Sequence, residues 1–251
     1  MGTDQESLEL DSHYERAFLW PDVKRRVFQT NATREGVDLG SYRDRGEAEF
    51  RYHYRNSYER AVDVLYEEAC RSSRRDSLVL PLMFLWRHLI EVSLKDLIRE
   101  ARELFFEEPS KPEAEAMRKH DLTALWRLAI PHVKLLGCNA PELSNLENIF
   151  NEIHEADPYA DGFRYPFGRD GRTKNLERLP ETMDLGQMND SLRGALNFLS
   201  AGFSEVQRRR DFFSDYEIEM AREYGWPEPE ELGRARRAYC EQDDGVDNGG
   251  V

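Results

Sequence analysis

Apolar positions along the chain fall into a series of helical stripes. Phe50, Tyr54, Tyr58, Ala61, Val62, Leu65 and Ala69 recur at i, i+3, i+4, which predicts a helix with one buried face from Gly46 to the basic run at Arg71–Arg75. A second helix is expected from Ser77, with Pro81 tolerated near its first turn. Between Leu78 and Trp86 it is apolar on every side; from Ser93 it is amphipathic, with Ile90, Leu94, Leu97, Ala101 and Leu104 opposing a polar arc. The two prolines of Glu107–Glu115 mark a loop, after which Asp121 is placed to cap a helix from Leu122 to about Leu136, kinked or shortened by Pro131 and stopped by Gly137 and Asn139. Glu142 to Glu155 reads as another helix, with Leu143, Leu146, Ile149, Phe150 and Ile153 on one side. Residues 157–183 lose the helical period. Two Asp-Gly pairs and a Phe163/Tyr165/Phe167 alternation around an Arg-Asp-Gly turn predict a hairpin-like excursion. A last long helix runs from Asp184 to Tyr224 on a narrow stripe of Met188, Leu192, Ala195, Leu196, Leu199, Phe203 and Val206. The Trp226–Pro229 segment breaks it before a short helix to about Tyr239.

Long helices without strand-length runs between them imply an all-α, up-and-down helical bundle. The expected organisation is an N-terminal arm over 1–44, the bundle over 45–225, and a short helix with an acidic tail over 226–251. Charged residues make up 33% of the chain, above the globular average, which fits long helices with solvated faces. The net charge is −14, but residues 1–11 and 241–251 carry four acids each and no base, so the segment between them stands at −6. Those tails are expected to be disordered. An acidic chain is not a generic electrostatic nucleic-acid binder, although a local basic site is compatible with it. Three separated cysteines, with no paired-ligand spacing, read as reduced thiols. No secretory pattern opens the sequence, and the longest uncharged apolar run, Leu78–Trp86, is too short for a membrane span. A cytoplasmic protein without membrane contact is expected.

Candidate chemistry gathers on the second helix. His88, Glu91, Lys95, Arg99 and Arg102 lie within an arc of about 80°. From Ser93 onward that arc reads as a solvated face, and Glu91–Lys95 as an ordinary i,i+4 pair. His88 and Glu91 sit where the arc runs under cover, the geometry of a cleft edge, and serve either as an acid–base pair or as a satisfied structural pair. Between 162 and 180, Arg164, Arg169, Arg172, Lys174 and Arg178 outweigh Asp170 and Glu177 and alternate with aromatic residues. Such a loop stacks bases, or latches onto an acidic bundle with Arg164 pairing to Glu91 or Asp121. Paired Glu-x-x-His motifs, HExxH, a P-loop, GxGxxG and GxSxG are all missing, so no metal or other cofactor is expected.

Three islands carry a family resemblance: FLWRHLIEVSLKDLI at Phe84–Ile98, HDLTALW at His120–Trp126, and Asp157 followed by FRYP at Phe163–Pro166. In order and spacing, over about residues 46–205, they resemble uncharacterised bacterial members of the HEPN family (higher eukaryotes and prokaryotes nucleotide-binding). The resemblance implies an up-and-down bundle that forms a homodimer. It also implies either a metal-independent ribonuclease of toxin–antitoxin or other defence systems, or an inactive helper that binds a protein partner encoded by a neighbouring gene. Active members carry Arg-x4–6-His in a late helix. The formal match here is Arg127-x4-His132, interrupted by Pro131 and outside the last long helix. In such a pair, Arg steadies the charge of a pentavalent phosphorane while His moves the proton of the attacking 2′-OH. The site expected from the islands comprises His88, Glu91, His120 and Arg164, with Arg87, Asp121, Arg169, Arg172 and Lys174 binding RNA or a nucleotide.

Overall fold

The computed structural model describes residue 39 and residues 43–71, 75–138, 142–225 and 227–243. Most of the expected arm, and the tail beyond Asp243, lie outside the described residues. The chain divides into a unit over Met1–Arg45 and a second over Gly46–Val251, which holds everything below. Its helices are α1 (Glu47–Arg71), α2 (Arg75–Leu104), α3 (Lys111–Arg118), α4 (Leu122–Leu135), α5 (Glu142–Ala156), α6 (Leu185–Tyr224) and α7 (Pro229–Asp243), with one 3-10 turn at Asn175–Arg178. β pairing among the described residues is confined to a single antiparallel bridge between Phe167 and Lys174, the base of the hairpin-like excursion. The molecule is an all-α, up-and-down bundle.

Side-chain contacts give the directions. Arg55 on α1 reaches Asp96 at 2.7 Å and Arg51 reaches Glu103 at 3.3 Å, so α1 and α2 run antiparallel. Trp86 donates to Asn189 Oδ1 at 3.3 Å, and Leu97 lies against Gly202, so α6 runs alongside α2 in the same sense. Trp126 packs edge-on to Phe150 with centroids 5.1 Å apart, and Thr123 donates to Asn151, so α5 returns antiparallel to α4. The central element is α2, which touches α1, α4 and α6. Its buried residues Leu82, Trp86, Leu89, Ile90, Leu94, Leu97 and Ile98 pack with Leu122, Leu125, Trp126, Phe150 and Leu199 in one core. Each such side chain contributes about 1.5–3 kcal/mol by leaving water. By length and composition α2 is apolar enough to cross a membrane, but half of that apolar window is buried in the bundle.

Helix starts follow the sequence closely. Asp121 Oδ1 accepts from Ala124 N at 2.9 Å, and Asp184 Oδ1 accepts from Gln187 N at 2.9 Å, each filling an orphan donor of the first turn. Pro81 and Pro131 both lie inside continuous helices, where neighbouring turns hold the backbone despite the lost donor.

The predicted face of α1 needs correction. Val62 and Ala69 are buried and Tyr58 and Leu65 pack on the core, but Phe50 and Tyr54 are exposed while Arg51 and Arg55 turn inward. The Arg55 guanidinium lies 3.9 Å over the Phe203 ring as well as on Asp96. A buried carboxylate on the neighbouring helix rotates the first half of α1 away from its apolar stripe.

The C-terminal helix is docked and longer than predicted. Arg236 grips Glu217 with two contacts of 2.7 Å and donates to the Leu104 carbonyl at 2.6 Å, capping the end of α2. It also stands 4.7 Å over Phe106, a bulky residue held at φ 53 where α2 terminates. A Cβ on Gly233 would come within 2.2 Å of the Phe105 carbonyl oxygen, so α7 approaches this turn as only glycine allows. Gly233→Ala should therefore displace α7 and lower the melting temperature, whereas Gly194→Ala, in open space on α6, should stabilise by about 0.5–1 kcal/mol through helix propensity. Thermal unfolding of the two variants checks both signs.

Candidate functional site

The arc of α2 expected to be solvated is mostly covered. The segment after α2 folds back over it: Arg102 pairs with Glu113 at 2.7 Å, and Glu91 is buried beneath His120. Glu113 also accepts from Ser110 N and Oγ, closing a capping box that fixes α3 in place. Of the distal cations, Arg99 alone keeps a largely exposed side chain.

At the centre is Arg87, 2% exposed. Its Nη1 donates to Glu91 Oε2 at 2.9 Å, its Nη2 to the His120 carbonyl at 2.6 Å, and its Nε to the Asp157 carbonyl at 3.2 Å. Asp157 Oδ2 stands 3.3 Å from the same Nε, while Oδ1 accepts the backbone N–H groups of Asp161 and Gly162. One guanidinium thus ties α2, the turn before α4 and the root of the excursion together. The three sequence islands meet here. Asp157 is the residue whose part was not read from sequence beyond its place in the FRYP island; its position after a helix and before an Asp-Gly turn was the available signal.

Glu91 carries a second set of partners: Lys95 Nζ at 2.7 Å and His120 Nδ1 at 2.8 Å, both on Oε1. Burial pushes this carboxyl up, but the hydrogen bonds and charges of Lys95 and His120 outweigh it and hold it below the usual range. An ionised carboxylate only accepts, so Nδ1 of His120 holds a proton, and in the neutral imidazole Nε2 is the acceptor. The His120 side chain is 57% exposed. The arrangement is an imidazole anchored through Nδ1 by a buried carboxylate, on a side chain that is more than half exposed. That is the form of a general base.

The other expected residues divide sharply. His88 is enclosed by aromatic rings, with centroids of Tyr58 at 4.5 Å and Phe84 at 6.1 Å, and its Nε2 is buried without a hydrogen-bond partner. Burial first of all lowers its pKa, so it is a neutral ring in an aromatic stack. Arg164 pairs with neither Glu91 nor Asp121; it donates to the Ala160 carbonyl and lies 5.5 Å over Phe84. Asp121 is occupied as a helix cap, with His154 3.7 Å away. Arg127 and His132 are not brought together. They are five residues apart, about 140° around the helix, with Arg127 exposed and His132 buried.

The excursion is open. Arg164, Tyr165, Phe167, Arg169, Arg172, Lys174 and Arg178 are all exposed. Arg169 is held by Asp161 at 3.2 Å, whereas Arg172, Lys174 and Arg178 have no ion-pair partner among the described residues. Asp170, one of the two acids between 162 and 180, is spent on shaping the loop: bonds from Thr173 Oγ1 and from the backbone N–H groups of Arg172 and Thr173 lower its pKa to about 2. Among the described residues, no group of three metal-ligating side chains forms. Comparison with protein-family models, with curated proteins and with solved structures finds no match.

His132 gives a pH signature that belongs to the fold. Burial, then the charge of Arg102, lowers its pKa to about 4, with Glu113 opposing. The folded chain therefore resists a proton that the unfolded chain accepts at about 6.5. Stability should be complete above that value, fall as pH drops from about 6.5 to about 4, and lose nothing more from this residue below. His132→Leu should remove most of this slope in urea unfolding measured across pH 4–7.

Proposed function

We propose that this bundle binds single-stranded RNA on its excursion and cleaves it without metal, as a HEPN-like component of a bacterial defence or toxin–antitoxin-type system. One observation carries the reading. The His120 imidazole, proton-locked by Glu91 and more than half exposed, is held by Arg87 beside the root of an exposed basic and aromatic loop. Phosphates would lie along Arg172, Lys174 and Arg178, and bases would stack on Tyr165 and Phe167. His120 Nε2 would take the proton of a 2′-OH, while Lys95 and Arg164 supply positive charge nearby. The proposed setting is the cytoplasm, where the three cysteines stay as thiols, and the proposed assembly is a homodimer. The catalytic pair differs from the Arg-x4–6-His arrangement of the active members it resembles.

A second reading is a non-catalytic scaffold. Phe212 and Tyr216, one turn apart on α6, and Tyr239 on α7 are exposed, with Phe212 and Tyr239 rings 5.2 Å apart. An aromatic patch of this kind suits a protein partner.

Filter binding with single-stranded RNA separates the two. Arg172→Glu combined with Lys174→Glu should weaken binding by about tenfold or more and flatten its salt dependence by roughly one to two in slope. His120→Ala should keep the binding and abolish cleavage in EDTA. Intact tRNA, mRNA and rRNA after incubation with the parent chain would remove the catalytic half. RNA affinity unchanged by the double reversal, with a partner complex lost on Tyr216→Glu, would favour the scaffold.

A further inference from the structure

A pocket of about 280 Å³ opens on the bundle, and the exposed cations of the excursion are not among its lining residues. Its walls are Met83 of α2, Ile149 and Ile153 of α5, Met188 and Leu192 of α6, and Phe163, Leu179, Pro180 and Met183 from the two roots of the excursion. At about 30 Å³ per water-sized group it holds roughly nine non-hydrogen atoms, a compact small molecule rather than a peptide or a nucleotide. Three of its side chains are methionines, whose flexible thioethers fit irregular apolar bodies and lie well against ring edges.

The charges decide which ligand. Arg87 lies in the lining but is already matched by two carboxylates, Glu91 and Asp157, so it offers no net attraction to an anion. At the exposed rim, Glu152 and Asp184 have no ion-pair partner among the described residues. Asp184 uses one oxygen to cap α6 and keeps the other. The potential at the mouth is therefore negative over an apolar interior, and an anionic head group would be repelled from it.

We propose that this pocket binds a small monocationic amphiphile, an aromatic or alkyl primary amine, with its apolar body among Met83, Ile153, Phe163, Met188 and Leu192 and its ammonium at Glu152 and Asp184. Phe163 and Leu179 bracket the excursion, so an occupant bridges its two roots to α2, α5 and α6. The site does not depend on whether the excursion carries RNA.

Ligand-observed NMR titration of the full chain with 2-phenylethylamine, against phenylacetate of nearly the same shape, tests it. The amine should saturate one site, with phenylacetate about tenfold weaker or more. Ser191→Trp, an exposed rim substitution that covers the mouth, should weaken the amine by about tenfold, and Glu152→Gln by about threefold. Backbone exchange at Phe163 and residues 179–183 should slow when the amine is bound. No saturable binding of the amine, equal binding of the two probes, or a Ser191→Trp chain that binds as well as the parent overturns the proposal.

Discussion

A guanidinium inside a protein needs a partner for each of its nitrogens and an answer to its charge, and Arg87 meets both demands by drawing three separate stretches of chain to one point. Removing a charge from water costs several kcal/mol, so the site is stable only when Glu91, the His120 carbonyl and Asp157 all arrive. None of these partners is interchangeable with solvent, because Arg87 and Asp157 are almost fully buried. The consequence is geometric. The turn before α4 and the turn after α5 are fixed to the same turn of α2, and whatever they carry outward is fixed with them.

What they carry outward differs in kind. The turn before α4 presents an imidazole whose tautomer is set by the same Glu91 that neutralises Arg87. The turn after α5 presents a loop in which Asp170 is consumed internally and Arg172, Lys174 and Arg178 stay without an ion-pair partner among the described residues. The buried knot is structural, but it holds an exposed imidazole and an exposed basic loop on one frame. His88, which the sequence places at the cleft edge, serves the packing instead, as a neutral ring among Tyr58 and Phe84.

The legible part of the fold was its periodic part. The starts of α4 and α6 were readable because Asp121 and Asp184 do local work, bonding to amides three residues on. The hairpin-like base of the excursion was readable from its turn residues. The inward face of α1 was not, because Arg55 answers to Asp96 across 41 positions, a pairing that no local window contains. Docking of α7 depends on a close approach of Gly233 to the Phe105 carbonyl, and a helical glycine looks alike whether it is crowded or free. In the site, Arg87, Glu91 and His120 were named from sequence, but their division into knot and exposed base was not. It follows from the 105–121 segment folding back over α2, and from which side of each residue that segment covers.

Arg87 holds the pre-α4 turn and the excursion root against α2, and Arg87→Lys isolates that role. Lysine keeps the charge but donates from a single nitrogen, so it cannot span the partners that the arginine fork meets from three separate nitrogens. Hydrogen exchange should accelerate at residues 119–121 and 157–165 while the buried cores of α2 and α4 keep their protection. Exchange that is unchanged at both turns, or raised evenly through the whole bundle, would mean that Arg87 does not hold them.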